Sequence, residues 1–414
     1  MTTPDFPSLG LSAGLAQACA RAGFAEPTAI QQQAIPAILR GGDLLALAPT
    51  GSGKTAAFAL PLLQRLAGSE RPSRRGVRIL VLVPTRELAA QVGEVFRTLA
   101  RSVTAPVRVA VLFGGVSINP QMMGLRGGVD VVVATPGRLL DLVERNALDL
   151  SRVESLVLDE ADRLLDLGFA AEVEGVLAQL PAGRQNLLFS ATFAQGVQAL
   201  ADALLRDAVR IEAGAGDAGL PDILQRVIEV DAGRRTELLR HLVRQEGWRR
   251  VLVFVATRYA TEHLARKLCD ARIPAAALHG EMSQGQRTEV LEAFKAGRTD
   301  VLVTTDLAAR GIDVPSLEVV VNYDLPRSPT HYVHRIGRTG RAGAAGVAVS
   351  FVSAATDAHF RLIASRQGLA LPREQVAGFE PLEAPPPPAK GAGGIKGKRP
   401  SKKDKLRAAA GRAS

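Results

Sequence analysis

The chain has 414 residues, 47% hydrophobic and 22% charged, a composition that builds two or three globular domains and excludes wholesale disorder. No apolar run approaches the ~18 residues that cross a bilayer, and the opening MTTPDFPSLG lacks a basic region followed by an apolar core, so neither a membrane span nor a secretory signal is expected. The formal charge of +10 is unevenly placed: from Lys390 onward nine Lys or Arg face one acidic residue, Asp404, which puts +8 at the end of the chain and leaves the rest near +2. The two cysteines, Cys19 and Cys269, form no Cys-x-x-Cys pair and no Cys/His cluster, which argues against a zinc or disulfide framework and for a reducing cytoplasm. Aromatics make up 4% and none follows Phe379, so the basic end would meet nucleic acid through charge rather than base stacking.

In chain order, buried strands are expected at LLALA (44–48), RILVLVP (78–84), VDVVVAT (129–135), SLVLDEAD (155–162) and NLLFSAT (186–192), separated by segments of helical length. The Gly/Ala-rich stretch AGAGDAGLP (213–221) reads as a linker. The alternation then resumes with VLVFVAT (251–257), AAALHG (275–280), DVLVTTD (300–306), LEVVVNYD (317–324) and GVAVSFV (346–352). Continuous apolar strands with crossover helices imply parallel sheets covered on both faces. The expected organisation is α/β: a first domain over 1–212, a linker over 213–221, a second domain over 222–374 and a disordered basic tail over 375–414. No repeat of 20–50 residues occurs, so a solenoid is excluded.

Three stretches carry chemistry. In APTGSGKT (48–55) a strand leads into Gly51 and Gly53, which let the backbone turn, and a helix opens at Thr55. Thr50, Gly51, Ser52 and Gly53 would wrap a phosphate chain with backbone N–H groups, Lys54 would reach the β- and γ-phosphates, and Thr55 would ligate Mg²⁺. At the end of an expected strand, DEAD (159–162) supplies Asp159 for Mg²⁺ and Glu160 to polarise an attacking water. Beyond the linker, HRIGRTGR (334–341) offers Arg335, Arg338 and Arg341. The three-residue spacing predicts Arg338 and Arg341 on one side of a helix, from which they would reach the γ-phosphate only when two domains close. Upstream, GFAEPTAIQ (23–31) holds Gln31, whose amide matches adenine N6 and N7, and Phe24, which could pack on the base. No Asn-Lys-x-Asp occurs, which weighs against guanine. In isolation the arginines would be a solvated basic helix and Gln31 a surface residue.

In this order the segments resemble the DEAD-box family of ATP-dependent RNA helicases, from about Phe6 to Phe351. GFAEPTAIQ, with Phe6 upstream, is similar to the family's adenine-reading motif. PTREL (84–88), Gly114–Gly115 and TPGR (135–138) are similar to segments that line the RNA backbone, and SAT (190–192) to the segment coupling hydrolysis to strand separation. VFVATR (253–258), Gln284 with Arg287, and TTDLAARGID (304–313) are similar to motifs of the second domain. The resemblance implies two RecA-like domains, ATP and Mg²⁺ as cofactors, and RNA-stimulated ATP hydrolysis that locally unwinds short RNA duplexes. It implies RNA contacts at Pro84, Thr85, Arg86, Gly115, Thr135, Pro136, Gly137, Arg138, Arg258, Gln284, Arg287 and Thr304. It further implies a ribose contact at Asp313, and interdomain coupling through Ser190, Thr192, Asp306, Arg310 and His334. Contacts to phosphate carry no sequence code, so little sequence preference is expected. GGVSINPQMMGLRGG (114–128) and the basic tail resemble bacterial RhlE-type members, and partners in ribosome assembly or RNA degradation would fit that group. An ATP-switched RNA clamp or annealing factor, or a DNA helicase on the same core, would share these motifs.

Overall fold

Apolar β-branched runs form the centre of the chain's two halves. The computed structural model describes residues 4–49, 51–69, 76–103, 106–213, 223–309, 317–340 and 345–383. In the first half, β1 (Leu44–Leu47), β2 (Ile79–Leu82), β3 (Val109–Leu112), β4 (Val131–Ala134), β5 (Ser155–Leu158), β6 (Gln185–Ser190) and β7 (Val209–Glu212) make one sheet in the order β3-β4-β2-β5-β6-β1-β7. In the second half, β8 (Ile223–Glu229), β9 (Val251–Phe254), β10 (Ala275–Leu278), β11 (Val301–Thr304), β12 (Val319–Asn322), β13 (Gly346–Val352) and β14 (Arg373–Glu374) make another, in the order β10-β11-β9-β12-β13-β8-β14. Every pairing is parallel. Counted from its own first strand, the second sheet repeats the strand order of the first, so β8 is the counterpart of β1.

The pleat divides the core. Leu44 and Ala46 point into one apolar layer with Phe58, Phe96 and Phe189, whereas Leu45 points into the other with Leu80, Val132 and Leu188. The register Leu44↔Leu187 and Leu45↔Leu188 keeps neighbouring strands in phase. Strands buried on both faces need helices on both faces, and parallel connections supply them. Polar anchoring at the start of β6 fixes the register further: Asp43, itself buried, accepts from Asn186 N at 2.7 Å, Asn186 Nδ2 at 3.1 Å and Arg206 N at 2.9 Å.

All ten expected strands are present, and four more were not anticipated. β7 is an edge strand, exposed except at Ile211, and β8 carries Gln225 and Arg226 within its run, so neither reads as a continuous apolar segment. β3 is only half-buried over Val109–Val111, and β14 is two residues long. The linker falls almost wholly outside the described residues, as do Thr50, Arg310, Asp313, Arg341 and the chain from 384 onward.

The boundary expected at 375 is corrected. Residues 375–383 are folded onto the second domain rather than part of a disordered tail. Val376 and Phe379 pack against its core, with the Phe379 ring 5.2 Å from the His241 ring and the Arg234 guanidinium 4.9 Å above it. Asp231, just past β8, then accepts from Leu382 N at 2.9 Å and Glu383 N at 3.0 Å. The average Pro/Gly/Lys composition of the region masked these two apolar anchors. Phe379→Ala should lower the stability of the second domain by about 1–3 kcal/mol, below the roughly 3–5 kcal/mol for removing a fully buried ring because this one is only partly buried. A shift in the denaturation midpoint reads this, and an unchanged midpoint would mean the segment contributes nothing to the fold.

Candidate nucleotide and nucleic-acid site

Ligands of open parallel sheets bind outside the carboxyl ends of the strands, and the strand order sorts the candidate residues into two groups. β1, β5 and β6 lie side by side and lead into Ala48–Thr55, Asp159–Asp162 and Ser190–Thr192. β2, β3 and β4 lie on the other side of β5 and lead into Pro84–Arg86, Gly114–Gly115 and Thr135–Arg138. One half of the sheet thus presents the phosphate loop and carboxylates, the other the residues expected along a nucleic-acid backbone.

The phosphate loop is braced from below. Gly51 and Gly53 have φ of 85° and 94°, a region that side chains disfavour. A Cβ on Gly53 would also stand 2.5 Å from Gln31 Nε2, so position 53 has no room for one. Gln31 caps its own helix by accepting from Thr28 N at 3.0 Å, and its Nε2 donates to the Gly53 carbonyl at 3.1 Å. It is 2% exposed. Each end of the amide thus makes one bond to the protein, which holds the loop's shape and leaves one N–H and one lone pair of the amide outside these two bonds. Phe24 is half-buried against the first domain's core, and Phe6 is fully within it. Ser52 Oγ donates to the Pro49 carbonyl at 2.8 Å, and Lys54 Nζ to the Ala48 carbonyl at 2.9 Å, arching over the loop. Lys54 and Thr55 open the helix Lys54–Gly68, whose N-terminus favours an anion.

Asp159 and Glu160 follow β5 directly. Burial raises the Asp159 carboxyl to about 6, with Lys54 pulling it down and Glu160 and Asp162 pushing it up. Glu160 sits at φ 52°, unusual for a side-chain-bearing residue. Burial would raise its carboxyl, but Arg163, Arg338 and Lys54 outweigh that effect and hold it below the ordinary glutamate value. Arg163 Nη1 donates to Glu160 Oε2 at 2.6 Å. Next along, Asp162 Oδ2 accepts from Thr192 N at 3.0 Å and Thr192 Oγ1 at 2.9 Å, and Asp162 N donates to Ser190 Oγ at 3.3 Å. Ser190 and Thr192 are thereby tied to the acidic segment within the first domain. Among the described residues no group of three or more His, Cys, Asp or Glu could hold a metal ion.

The second domain closes onto this group. Arg338, 6% exposed, lies near enough to Glu160 to lower its pKa. His334 is pushed down to about 4, first by burial, with Arg163 and Arg338 lowering it and Asp162 opposing, which places it over the first domain's acidic segment. The helix carrying these residues, Pro329–Ile336, ends at Gly337. Arg338, expected on a helical face, therefore projects from the turn beyond the helix, while its expected companion Arg341 lies outside the described residues. Arg335 faces inward: it forks onto Asp306 at 2.6 and 2.7 Å, donates to Asn322 Oδ1 and the Asp324 carbonyl, and lies 4.8 Å over Phe254. It holds Asp306 in place instead of reaching a phosphate.

Arg287, expected on RNA, instead makes a buried ion pair across the two domains. Its Nε donates to Glu87 Oε1 at 2.7 Å, with side chains 6% and 11% exposed, and its remaining nitrogens bond the His279 and Ala308 carbonyls. Glu87 was missed by sequence reasoning although it lies inside PTREL; a lone acid in a helix's first turn reads as a dipole partner. Thr304 is 0% exposed and its hydroxyl bonds the Thr305 carbonyl, so it offers no surface to RNA; its neighbour Thr305 reaches the surface and caps the next helix. The remaining candidates lie in the loops and helix starts that follow strands. Pro84 and Thr85 lead into the helix Arg86–Ala100, whose first turn Thr85 caps by accepting from Leu88 N, and the Arg86 guanidinium lies against Gly115, where a Cβ would collide with it. Thr135, Pro136 and Gly137 open the helix Pro136–Glu144. In that helix Arg138 is 8% exposed, donates to the Val116 carbonyl at 2.8 Å, lies 3.6 Å from Asp141 Oδ2 through Nε, and keeps Nη1 without a hydrogen-bond partner among the described residues. Arg258 pairs with Glu281 at the surface, and Gln284 heads the helix Gln284–Lys295 with Oε1 unpaired among the described residues.

Two RecA-like domains facing each other across a phosphate loop, an acidic strand end and an opposing arginine define a nucleotide-dependent helicase core. The chain belongs to the DEAD-box helicases: residues 28–200 match the DEAD/DEAH box helicase model and residues 234–343 the helicase conserved C-terminal domain. It is 42% identical over 328 residues to the ATP-dependent RNA helicase DeaD of Escherichia coli (strain K12), an alignment covering 79% of this chain and 51% of that one. It spans about half the length of the curated relatives it matches. Saccharomyces cerevisiae Dbp5 bound to RNA and ADP BeF3 superposes with a TM-score of 0.79 at 32% identity, covering 90% of this chain and 95% of that one. The DEAD-box helicase Mss116 bound to ssRNA and UDP-BeF gives 0.82 at 28% identity, covering 92% and 81%. The name DeaD carried by this relative, and by one from Mycobacterium tuberculosis (strain ATCC 25618 / H37Rv) at 43% identity over 328 residues, lends no support to the RhlE-type affiliation.

Two outcomes follow from the geometry. The folded Asp159 carboxyl keeps its proton up to about pH 6, against 3.8 for its ordinary value. The folded state thus binds the proton more tightly, and its stability falls as pH rises through that window. Asp159→Asn should stabilise the ligand-free protein by about 3 kcal/mol at pH 7.5 and by little below pH 4, read from denaturation midpoints against pH; equal midpoints at pH 7.5 would contradict the buried charge. Separately, Glu87→Ala and Arg287→Ala should each shift the two domains apart in a fluorescence-transfer assay, and the double variant should do no more than either. Additive effects would show that the ion pair is not the link.

Proposed function

We propose that the chain is an RNA-dependent ATPase that locally unwinds short RNA duplexes. The observation carrying this reading is the approach of Arg338, from the second domain, to Glu160 of the first. A carboxylate placed to polarise water and a cation placed to stabilise transferring phosphate come from separate domains, so hydrolysis requires closure. Lys54 and the backbone of the loop bind the phosphate chain of ATP. Thr55 and Asp159 supply an oxygen set that suits Mg²⁺, a cation that takes few protein ligands and completes its shell with phosphate and water. Bound there, Mg²⁺ would neutralise charge developing on the phosphates. Glu160, ionised at neutral pH, accepts a hydrogen bond from the attacking water and orients it in line, with Arg163 fixing the carboxylate's other oxygen environment. Arg341 and Asp313 enter by family resemblance.

Arg86, Arg138 and the helix ends at Thr85 and Thr135 hold one stretch of RNA phosphates, while Arg258, Gln284 and Thr305 extend the track into the second domain. Closure asks the strand to follow both surfaces at once. A duplex that cannot do so opens locally, each stacked step being worth roughly 1.4 kcal/mol by the DNA average. The Glu87–Arg287 ion pair locks that closed form. Contacts of this kind read backbone and shape, so little sequence preference is expected. An ATP-switched clamp would use the same closure, and the two differ in whether strand separation follows hydrolysis. A cytoplasmic location and partners in ribosome assembly or RNA degradation complete the proposal; among the described residues no helix is long and apolar enough to cross a membrane.

ATP turnover measured alone, with RNA and with single-stranded DNA tests the reading: stimulation by RNA well above that by DNA is expected, and equal stimulation would favour a DNA translocase. Lys54→Ala should abolish nucleotide binding. Glu160→Gln should bind ATP and RNA normally yet hydrolyse about 10²–10⁴-fold more slowly, the usual contribution of a positioned base; turnover at the wild-type rate would remove Glu160 from the role.

A further inference from the structure

The amino ends of the first sheet's strands, opposite the nucleotide, hold a second polar cleft. It has a volume of about 760 Å³ and lies among the segments entering β1, β2, β5 and β6. Among the described residues Arg65, Arg78, Arg152 and Arg184 line it, with one acid, Glu154. The side chains are built in rather than trailing. Arg78, 7% exposed, forks onto Glu154 at 2.7 and 2.8 Å and donates to Ser69 Oγ at 2.7 Å. Arg65 is tied to Gln185 Oε1, and Gln185 in turn donates to the Gly42 carbonyl at 2.6 Å. Arg184 donates Nη1 to the Pro181 carbonyl at 2.7 Å and keeps a buried Nε with no hydrogen-bond partner among the described residues. Burial and the neighbouring Arg206 push the Arg184 guanidinium below its ordinary pKa, against the pull of Asp43, so positive charge here is only partly compensated.

We propose that this cleft is a second anion site, separate from the nucleotide loop, that takes a chain of phosphate groups. All four cations are arginine, whose planar fork pairs bidentately with phosphate oxygens. None of the exposed large apolar side chains among the described residues lines it, so a peptide would find no anchor there. The volume lies in the range of small-ligand sites. The chain's own end beyond Lys390 is cationic and is repelled. The phosphates belong either to an RNA strand running past the core or to a free polyphosphate, chemically the same at the contact. The cleft also has a mechanical link to the loop. Arg65 stands near the end of the helix Lys54–Gly68, which begins at the phosphate loop about 16 Å away at 1.5 Å per residue.

The test uses the full chain saturated with AMP-PNP, so that the nucleotide loop is filled; a separate calorimetric titration of AMP-PNP reports whether that loop binds as proposed above. Inorganic tripolyphosphate and RNAs of 10 and 30 nucleotides are then titrated against wild type, R152A/R184A and R152K/R184K. Tripolyphosphate should bind wild type and raise its melting temperature, and the alanine pair should weaken it at least tenfold, with partial rescue by lysine. Loss of affinity for the 30-nucleotide RNA but not the 10-nucleotide one would identify the flanking strand as the source; loss for tripolyphosphate alone would identify a free polyphosphate. Both support the site. Wild type showing no tripolyphosphate binding or thermal shift would overturn it, whether or not the variants fold, as would tighter binding of an oligoglutamate peptide than of tripolyphosphate.

Discussion

The structure turns on charges that are buried where two domains meet. Glu160 is a carboxylate kept ionised inside protein because three cations surround it, and one of them, Arg338, belongs to the other half of the chain. Removing that cation by opening the domains leaves the acid with Arg163 and Lys54 in a site designed for three. Arg287 and Glu87 repeat the arrangement at a second point on the seam, both nearly out of solvent. Buried pairs of this sort are poor sources of stability but demanding of geometry, since either partner alone in a dry site is strongly unfavourable. At these two points the seam is matched by charge, so each half presents the partner that the other half's buried group needs.

Everything else positions those charges. The parallel sheet delivers each motif to the same end of the domain, and the strand order puts phosphate chemistry on one side of β5 and backbone recognition on the other. Gln31 fixes the loop from its own capped helix, and the Asp162–Thr192–Ser190 contacts join two neighbouring strand ends. His334 and Arg335 sit on a single helix yet do different work, one over the first domain's acids and the other clamped on Asp306.

Much of this was legible beforehand because the informative residues are local. Gly51, Gly53, Lys54 and Thr55 are adjacent in sequence, and a strand followed by Asp159 and Glu160 announces a carboxyl-end acid pair. What was missed depends on contacts far apart in the chain. Nothing near Glu87 hints at Arg287, and nothing in TTD distinguishes the buried Thr304 from the surface Thr305 until the strand's phase is known. Arg338 looked helical by spacing, but Gly337 stopped the helix one residue earlier. Strands β7 and β8 escaped notice because edge position and a polar face remove the continuous apolar run on which their recognition relies, and Phe379 because a tail's average composition hides a single anchor.

The duplicated strand order has a consequence for how such a molecule can move. In the first half the turn after the leading strand is the glycine-rich loop; in the second the same place reads Val230–Asp231–Ala232–Gly233–Arg234, and Asp231 is occupied in holding the chain's own residues 382 and 383. Among the described residues only the first half carries such a loop, so on the function proposed above the second half would serve as its counterpart jaw. A single combustion chamber of that kind would favour gripping, letting go and starting afresh elsewhere over walking hand over hand along a strand.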